Sequence, residues 1–197
     1  MSVTATFQPA VVSSPPGAAA ALTLHLHNDA DSEETVQLKS VGDLADYTVL
    51  QSETIYLDPG ENFEVPIIVD VSPSLVAGSH TSGIEVVVAN GENVTAEATI
   101  DVAEASSYAV VLSPPASKSA TAGRHRVSID NDGNVPITIE ISATSETPAA
   151  SIELAAPLLN VDPGETAKVE LRVHPRTKFW NGVPQEHPFV VRVVGSD

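Results

Sequence analysis

Apolar and polar residues alternate one by one over short stretches of this chain. The clearest cases are 22–27, where three leucines alternate with polar residues, and 168–173, where Val169, Leu171 and Val173 alternate with charged ones. A period of two is that of a half-buried β-strand, whereas an amphipathic helix has a period of 3.6. The pattern therefore predicts β-strands and gives little support for helices.

Seven such strands are predicted in the first half of the chain, with turn-forming Pro, Gly, Asn and Asp between them. Their predicted bounds are 3–12, 20–28, 34–40, 46–57 with a break, 62–71, 82–89 and 93–102. Seven short antiparallel strands in about 100 residues are typical of an immunoglobulin-like β-sandwich, whose two inner faces form the core. The sequence contains no cysteine, so the Cys–Trp–Cys centre of antibody domains is absent and the prediction is an Ig-like module.

The two halves of the chain repeat the same turn signals. Asn28-Asp29 recurs as Asn131-Asp132, and the Asp-Pro-Gly-Glu of 58–61 recurs at 162–165; Ser14-Pro15-Pro16 also recurs as Ser113-Pro114-Pro115. A tandem duplication is therefore predicted: an all-β chain of two Ig-like antiparallel sandwiches, residues 1–103 and residues 104–197. We expect the paired prolines to break the first strand of each copy and to protect an exposed edge.

The two copies end differently. Copy one closes with a strand over 83–89, an Asn90-Gly91 hairpin turn and a returning strand over 94–102. Copy two reaches the equivalent strand at 189–194 and then stops at Asp197, so its last strand is missing. An open sandwich edge invites pairing with another strand. Either the chain was cut from a longer protein inside a hairpin, or a partner or neighbouring copy donates the strand.

The chain is strongly acidic, and the charge is concentrated in copy one. There are 26 acidic and nine basic residues, for a formal net charge of −17. Copy one has 15 acids and Lys39 as its one base, which gives −14, while copy two has 11 acids and eight bases, which gives −3. Such a polyanion repels nucleic-acid phosphates and anionic lipid, so neither is an expected partner. The acidic surface suits a cationic partner, bound calcium or a salty medium, or it serves solubility alone.

The sequence carries little signal for catalysis or membrane insertion. Without cysteine there is no disulfide framework, thiolate nucleophile or zinc–cysteine site. No apolar run approaches the roughly 18 to 20 residues that span a bilayer. No Ser or Thr has a His and a carboxylate at a recognisable nucleophile spacing, and no phosphate-binding glycine loop is present. We therefore expect a protein that is not an enzyme and needs no cofactor.

A metal site is one interpretation of the loop that follows the second copy's Asn-Asp signal. Asp130, Asp132 and Asn134 place oxygen ligands at alternate positions, as calcium loops do. The later glycine and the bidentate Glu at the twelfth position are absent, and Ile141 falls there instead. Asn, Asp and Gly are also the residues that a tight turn between strands requires. A structural turn and a calcium loop are the two hypotheses.

A cationic and aromatic cluster precedes the last strand of copy two: Arg176, Lys178, Phe179 and Trp180. An exposed aromatic flanked by bases is a common binding hot spot. The same loop crosses the end of the predicted sandwich, where a large apolar side chain can close the core. The cluster is therefore a candidate binding site, and core closure is the alternative role for Trp180.

The chain resembles, over both copies, the tandem Ig-like region of a family of actinobacterial membrane-associated proteins that are often labelled "hydrolytic protein". The resemblance is carried by the Arg-His-Arg-Val of 124–127, the Asp-Asn-Asp-Gly-Asn of 130–134, the Phe-Trp-Asn-Gly of 179–182 and the His-Pro-Phe of 187–189. More loosely, both copies resemble bacterial Ig-like modules associated with alpha-galactosidases. The resemblance implies a longer protein associated with the membrane or cell envelope, and it supplies no catalytic residues.

These observations predict non-catalytic Ig-like modules that act as a spacer or a protein-interaction segment of a larger envelope-associated protein. The expected partners are another protein or neighbouring domains of a longer chain. A virion or surface-appendage subunit assembling by strand donation is the first alternative. A glycan-binding accessory module of an enzyme is the second, and Trp180 would be its first candidate contact.

Overall fold

The structure of the protein is a computed structural model that describes residues 3–89, 91–177 and 185–196. The chain divides into two compact units, Met1–Ala105 (unit 1) and Ser106–Asp197 (unit 2). The described ranges contain no helix that is long and apolar enough to cross a membrane. Strands make up nearly all of the regular structure, with one 3₁₀ turn at Ala45–Tyr47.

The described part of unit 1 contains nine strands in two sheets. The first sheet has the order β1-β3-β7-β5 and the second has the order β2-β9-β8-β4-β6. Their bounds are β1 Val3–Gln8, β2 Val11–Ser14, β3 Ala19–Asn28, β4 Glu34–Val41, β5 Thr48–Leu50, β6 Thr54–Leu57, β7 Asn62–Asp70, β8 Gly78–Val88 and β9 Val94–Val102. All pairings are antiparallel except that of β2 with β9, which is parallel.

Unit 2 repeats the arrangement with seven strands in the described residues. Its sheets have the orders β10-β11-β15-β13 and β14-β12-β16. Their bounds are β10 Tyr108–Ser113, β11 Gly123–Asn131, β12 Ile137–Ser145, β13 Ala150–Leu154, β14 Leu158–Val161, β15 Thr166–Pro175 and β16 Phe189–Ser196. All of these pairings are antiparallel.

Alternation along each strand creates one apolar face per sheet, and the two faces of a unit meet in a core. In unit 1, Leu24 and Ile67 from the first sheet and Ile84 and Ile100 from the second are fully buried in one cluster. In unit 2, residues such as Ile129 from the first sheet and Ile139 from the second form the corresponding cluster. Each unit is therefore an Ig-like β-sandwich, which confirms the predicted fold class.

The structure corrects the prediction for the first strand. The sequence predicts one strand over 3–12 and a break at Pro15-Pro16. In the structure the break lies at Pro9, between β1 in one sheet and β2 in the other. Proline has no N–H to donate to a ladder, so the chain can leave the first sheet there without losing a hydrogen bond. Pro15 and Pro16 come after β2 instead.

The structure also corrects one pair of matched repeats. Val3 lies opposite Asn28 in the β1–β3 ladder, and Tyr108 lies opposite Asn131 in the β10–β11 ladder. Val3 and Tyr108 are therefore equivalent positions. Pro9 and Pro114 each lie six residues further along, so the counterpart of Pro114 is Pro9 and not Pro15. The shared Ser-Pro-Pro triplet is therefore a coincidence of sequence.

Candidate functional site

A buried asparagine at the end of β3 in unit 1 and of β11 in unit 2 fixes the correspondence between the units. In unit 2, Asn131 Nδ2 donates to Val135 O and to Val161 O, each at 2.9 Å, and its Oδ1 accepts from the Gly133 N–H at 3.0 Å. In unit 1, Asn28 makes the equivalent bonds, including one from Nδ2 to Leu57 O at 3.0 Å. Each asparagine therefore ties the turn after its strand to the last residue of β14 or β6.

The three candidate calcium ligands lie in different environments around this turn. Asp130 is on the outer face of β11, where its Oδ1 accepts a hydrogen bond from Thr166 Oγ1 at 2.7 Å. Asp132 is exposed, and Asn134 is fully buried. The hydrogen bonds that shape the turn are made by Asn131 itself, as an Asx turn requires. Among the described residues no group of three or more His, Asp or Glu side chains could hold a metal ion, and calcium binding by the three residues stays a prediction.

The cationic and aromatic cluster lies mostly outside the described residues. Lys178, Phe179 and Trp180 belong to the part of the chain that is not described. Arg176 is exposed, and its backbone N–H donates to Ala149 O at 2.8 Å. A binding role for the four residues therefore stays a prediction.

Sequence spacing did not reveal a contact between Ser117 and His125. His125 is buried; its Nδ1 lies 2.7 Å from Pro114 O and its Nε2 lies 3.0 Å from Ser117 Oγ. Because a carbonyl oxygen can only accept, Nδ1 carries the proton and donates to Pro114. The third partner is thus a carbonyl, whereas a catalytic triad uses a carboxylate at this place, and His125 forms no ion pair with any described residue. The contact fastens the segment after β10 to the sheet.

The largest difference between the units lies at one sheet edge. In unit 1, β8 is flanked by β4 and β9, and β2 extends the sheet further. The counterpart of β8 is β16, which pairs with β12 in the equivalent register. Within the described part of unit 2, no strand lies on the other side of β16.

The open side leaves apolar side chains of β16 half covered. In unit 1, Ile84, Val86 and Val88 point inward from β8 and are buried. Their counterparts in β16 are Val191, Val193 and Gly195, and the two valines are only partly buried against the core. In unit 1, the inward residues of β9 close this side of the sandwich: Ala96, Ala98, Ile100 and Val102.

The opposite wall of the same gap is formed by β10. In unit 1, β1 faces β9 across the core, and Val3 and Phe7 are buried. In β10, Tyr108, Val110 and Leu112 lie opposite buried residues of β11 and therefore also point inward. Tyr108 and Val110 are nevertheless 40% and 42% exposed. We call β16 together with the inward residues of β10 the acceptor edge.

Tyr108 covers one end of the acceptor edge. The Gly195 N–H donates to Tyr108 Oη at 3.2 Å. A Cβ atom at Gly195 would lie 2.7 Å from Cε1 of the tyrosine ring. Glycine is required here because the aromatic ring occupies the space of a side chain. The remaining length of the edge, beside Val191 and Val193, has no such cover among the described residues.

No family model matches the chain, and no curated protein matches it either. Among solved structures, it is similar to a protein of unknown function from Porphyromonas gingivalis W83, with 17% identity, a TM-score of 0.39, and coverage of 88% of this chain and 84% of that one. It is similar to the D0–D1 domain of intimin at 11% identity and a TM-score of 0.38, covering 88% and 90% of the two chains. It is also similar to the class 5 fimbriae chaperone CfaA, with 9% identity, a TM-score of 0.36, and coverage of 96% of this chain and 98% of that one. Identities this low, with TM-scores under 0.5, carry no inference about function.

Proposed function

We propose that this chain is a non-catalytic pair of Ig-like modules that acts through protein contacts, and that unit 2 accepts a β-strand at the acceptor edge, either from a partner or from further residues of a longer chain. The observation that carries the proposal is the contrast between the two units: the gap that β9 fills in unit 1 is unfilled beside β16 in the described part of unit 2. A strand added there would extend the β14-β12-β16 sheet and cover its core.

Strand addition suits this site because it supplies both backbone and side-chain partners. The backbone of an added strand forms ladder hydrogen bonds with an edge, while alternate side chains enter pockets and give specificity. Full burial of one aliphatic side chain contributes about 1.5–3 kcal/mol. Val110, Val191 and Val193 are all incompletely buried, so a covering strand gains a part of that amount at each of them.

Unit 1 indicates the chemistry of the accepted strand. β9 runs antiparallel to β8 and places Ala96, Ala98 and Ile100 inward. Its outward residues are polar, as in Glu97 and Asp101. A partner strand for unit 2 is therefore expected to alternate small or aliphatic residues with polar ones and to run antiparallel to β16.

We further propose that these modules belong to a larger cell-envelope-associated protein, where they act as a spacer or an interaction segment. The support for this finer assignment is the sequence resemblance in 124–134 and 179–189. The buried position of His125 supports a non-catalytic role for its contact with Ser117, because the matching residue of unit 1 is the core residue Leu22.

A peptide titration tests strand acceptance. A fluorescently labelled peptide of the β9 sequence, Val94–Val102, is titrated with the full chain, and the fluorescence anisotropy of the peptide is recorded. Val193→Ser removes an inward contact, and we expect it to weaken binding about tenfold, the equivalent of ~1.4 kcal/mol. Val194→Ser changes the neighbouring outward residue of the same strand and is expected to leave affinity within about twofold, since that side chain faces solvent.

Two results would contradict the proposal. One is the absence of saturable binding at peptide concentrations that remain monomeric. The other is equal binding of a peptide in which the residues matching Ala96, Ala98 and Ile100 are replaced by Asp, because burial of those side chains is what the open gap requires.

A further inference from the structure

Basic side chains cluster on the outer face of the β10-β11-β15-β13 sheet. Arg124 and Arg126 extend from β11, and Lys168 and Arg172 extend from β15. These are four of the nine basic residues in a chain of net charge −17. We call these four side chains the basic face.

The register of the sheet places these charges side by side. Arg124 lies directly opposite Arg172, Arg126 lies opposite Glu170, and Lys168 lies opposite Ser128. Like charges directly opposite each other in a sheet are unfavourable. The Arg124–Arg172 pair is therefore a place that a further negative group would stabilise.

The carboxylates on this sheet do not neutralise the cluster. Glu170 Oε2 lies 3.3 Å from Arg172 Nη2. Glu153 faces His174 at 3.4 Å, and Asp130 accepts from Thr166. Arg124, Arg126 and Lys168 form no ion pair with any described residue, so three cations remain available to a ligand.

The fold does not require bases at these positions. By the register that aligns Asn28 with Asn131, the counterparts of the four in unit 1 are Ala21, Thr23, Glu64 and Ile68. Unit 1 forms the same sheet with two apolar residues, a hydroxyl and a carboxylate there. Packing and β-propensity therefore do not require the basic character of these positions in unit 2.

The basic face also has a shape that can hold a ligand. Its side chains line a depression of about 580 Å³, together with Ser113, Pro114, Ser128 and Glu170, whose carboxylate pairs with Arg172. Guanidinium groups match carboxylate oxygens through two parallel hydrogen bonds. The hydroxyl groups add neutral donors beside the cations.

The spacing of the cations indicates the form of the ligand. Arg124 and Arg126 are two residues apart on one strand, and Lys168 lies beside the next outward position, Ser128. Two residues of extended chain span about 6.6–6.8 Å, which is also the spacing of alternate side chains in an extended peptide. We propose that the basic face binds an acidic peptide segment in an extended conformation, with carboxylates at alternate residues.

The net charge of the chain does not prevent this interaction. At physiological salt the Debye length is about 8 Å, so exposed charges farther away than that are largely screened. Arg124 and Arg126 are exposed and lie in the less acidic half of the chain. The electrostatic energy of a bound ligand is therefore determined mainly by the cations within about 8 Å of its own carboxylates.

Binding of two synthetic peptides of equal charge tests the proposal. One alternates Ser and Glu with three Glu in all, and the other has the same composition with its three Glu consecutive. Isothermal titration with the full chain at physiological ionic strength should show tighter binding of the alternating peptide. Arg124→Gln and Arg126→Gln should each weaken it by about threefold, since an exposed ion pair contributes ~0.2–1 kcal/mol.

Arg192→Gln is the matched control because it removes the same charge from an exposed position on the other sheet. Its affinity should remain within about 1.5-fold of the parent, given screening over that distance. Equal losses in Arg192→Gln and Arg126→Gln would overturn the proposal, because they would show an effect of net charge alone. Equal affinity for both peptides, or binding only of inorganic phosphate or a sulfated polysaccharide, would also overturn it.

Discussion

Two buried asparagines hold equivalent turns in the two units. Asn28 and Asn131 are almost completely buried, and each satisfies backbone carbonyls that would otherwise lie in the core without a donor. Leaving such a group unpaired costs about 1–3 kcal/mol. The Asn-Asp signal of the sequence therefore marks a structural asparagine in each unit.

Asn131→Ala is expected to destabilise unit 2 by about 2–4 kcal/mol, because Val135 O and Val161 O both lose their donor. The chain's single tryptophan, Trp180, lies in unit 2, so urea unfolding followed by its fluorescence measures this unit. Asn160→Ala is the control, since Asn160 is exposed and only accepts a bond from Thr138 Oγ1; it should change stability by less than about 0.5 kcal/mol. Equal effects of the two substitutions would contradict the role assigned to Asn131.

At the scale of single elements, Tyr108 and Gly195 form an end to the acceptor edge. Gly195→Val places a side chain in the space of the tyrosine ring, and overpacking of this kind costs about 1–3 kcal/mol. Adding Tyr108→Val should restore more than half of the loss, because Val3 and Val88 occupy these two positions in unit 1.

Urea unfolding followed by Trp180 fluorescence measures both variants. Ser196→Val, at the adjacent exposed position of β16, is the control and should be nearly neutral. A Gly195→Val protein as stable as the parent, or a double variant less stable than the single one, would show that the ring does not fill this position.

Most of the strands were predictable because a period of two survives in each of them. The switch between β1 and β2 was not, because periodicity over 3–12 is continuous and only the ladders show which sheet each half joins. The prediction from the matched Ser-Pro-Pro triplets was wrong for the same reason. Which residues of the two units are equivalent is determined by strand pairing with Asn28 and Asn131, and not by identical short sequences.

The candidate sites were less predictable than the fold. A strand count was enough to expect an open edge, but the exposure of Tyr108 and Val110 depends on the β10–β11 register. The alternating bases of 124–126 and 168–172 are visible in the sequence. Their convergence on one surface follows from the pairing of β11 with β15, which links positions more than 40 residues apart.

At the scale of the whole molecule, the two units share a fold and differ in chemistry. Residues 1–103 hold 15 acids and one base, while residues 104–197 hold 11 acids and eight bases. Both the acceptor edge and the basic face belong to unit 2. The second unit is therefore the proposed binding unit, and the first shows what its sheet looks like when the edge is covered.

The most direct test of strand acceptance supplies the strand within the same chain. Twelve residues that repeat Gly91–Val102 are added after Asp197, which corresponds to the turn position 90 of unit 1. We predict that unit 2 gains at least about 3 kcal/mol of stability, from burial of two or more aliphatic side chains, and that amide exchange over 189–196 slows at least about tenfold. A control extension with Asp at the positions of Ala96, Ala98 and Ile100 should do neither. Unchanged stability and unchanged exchange with the β9 extension would contradict the claim that this edge accepts a strand.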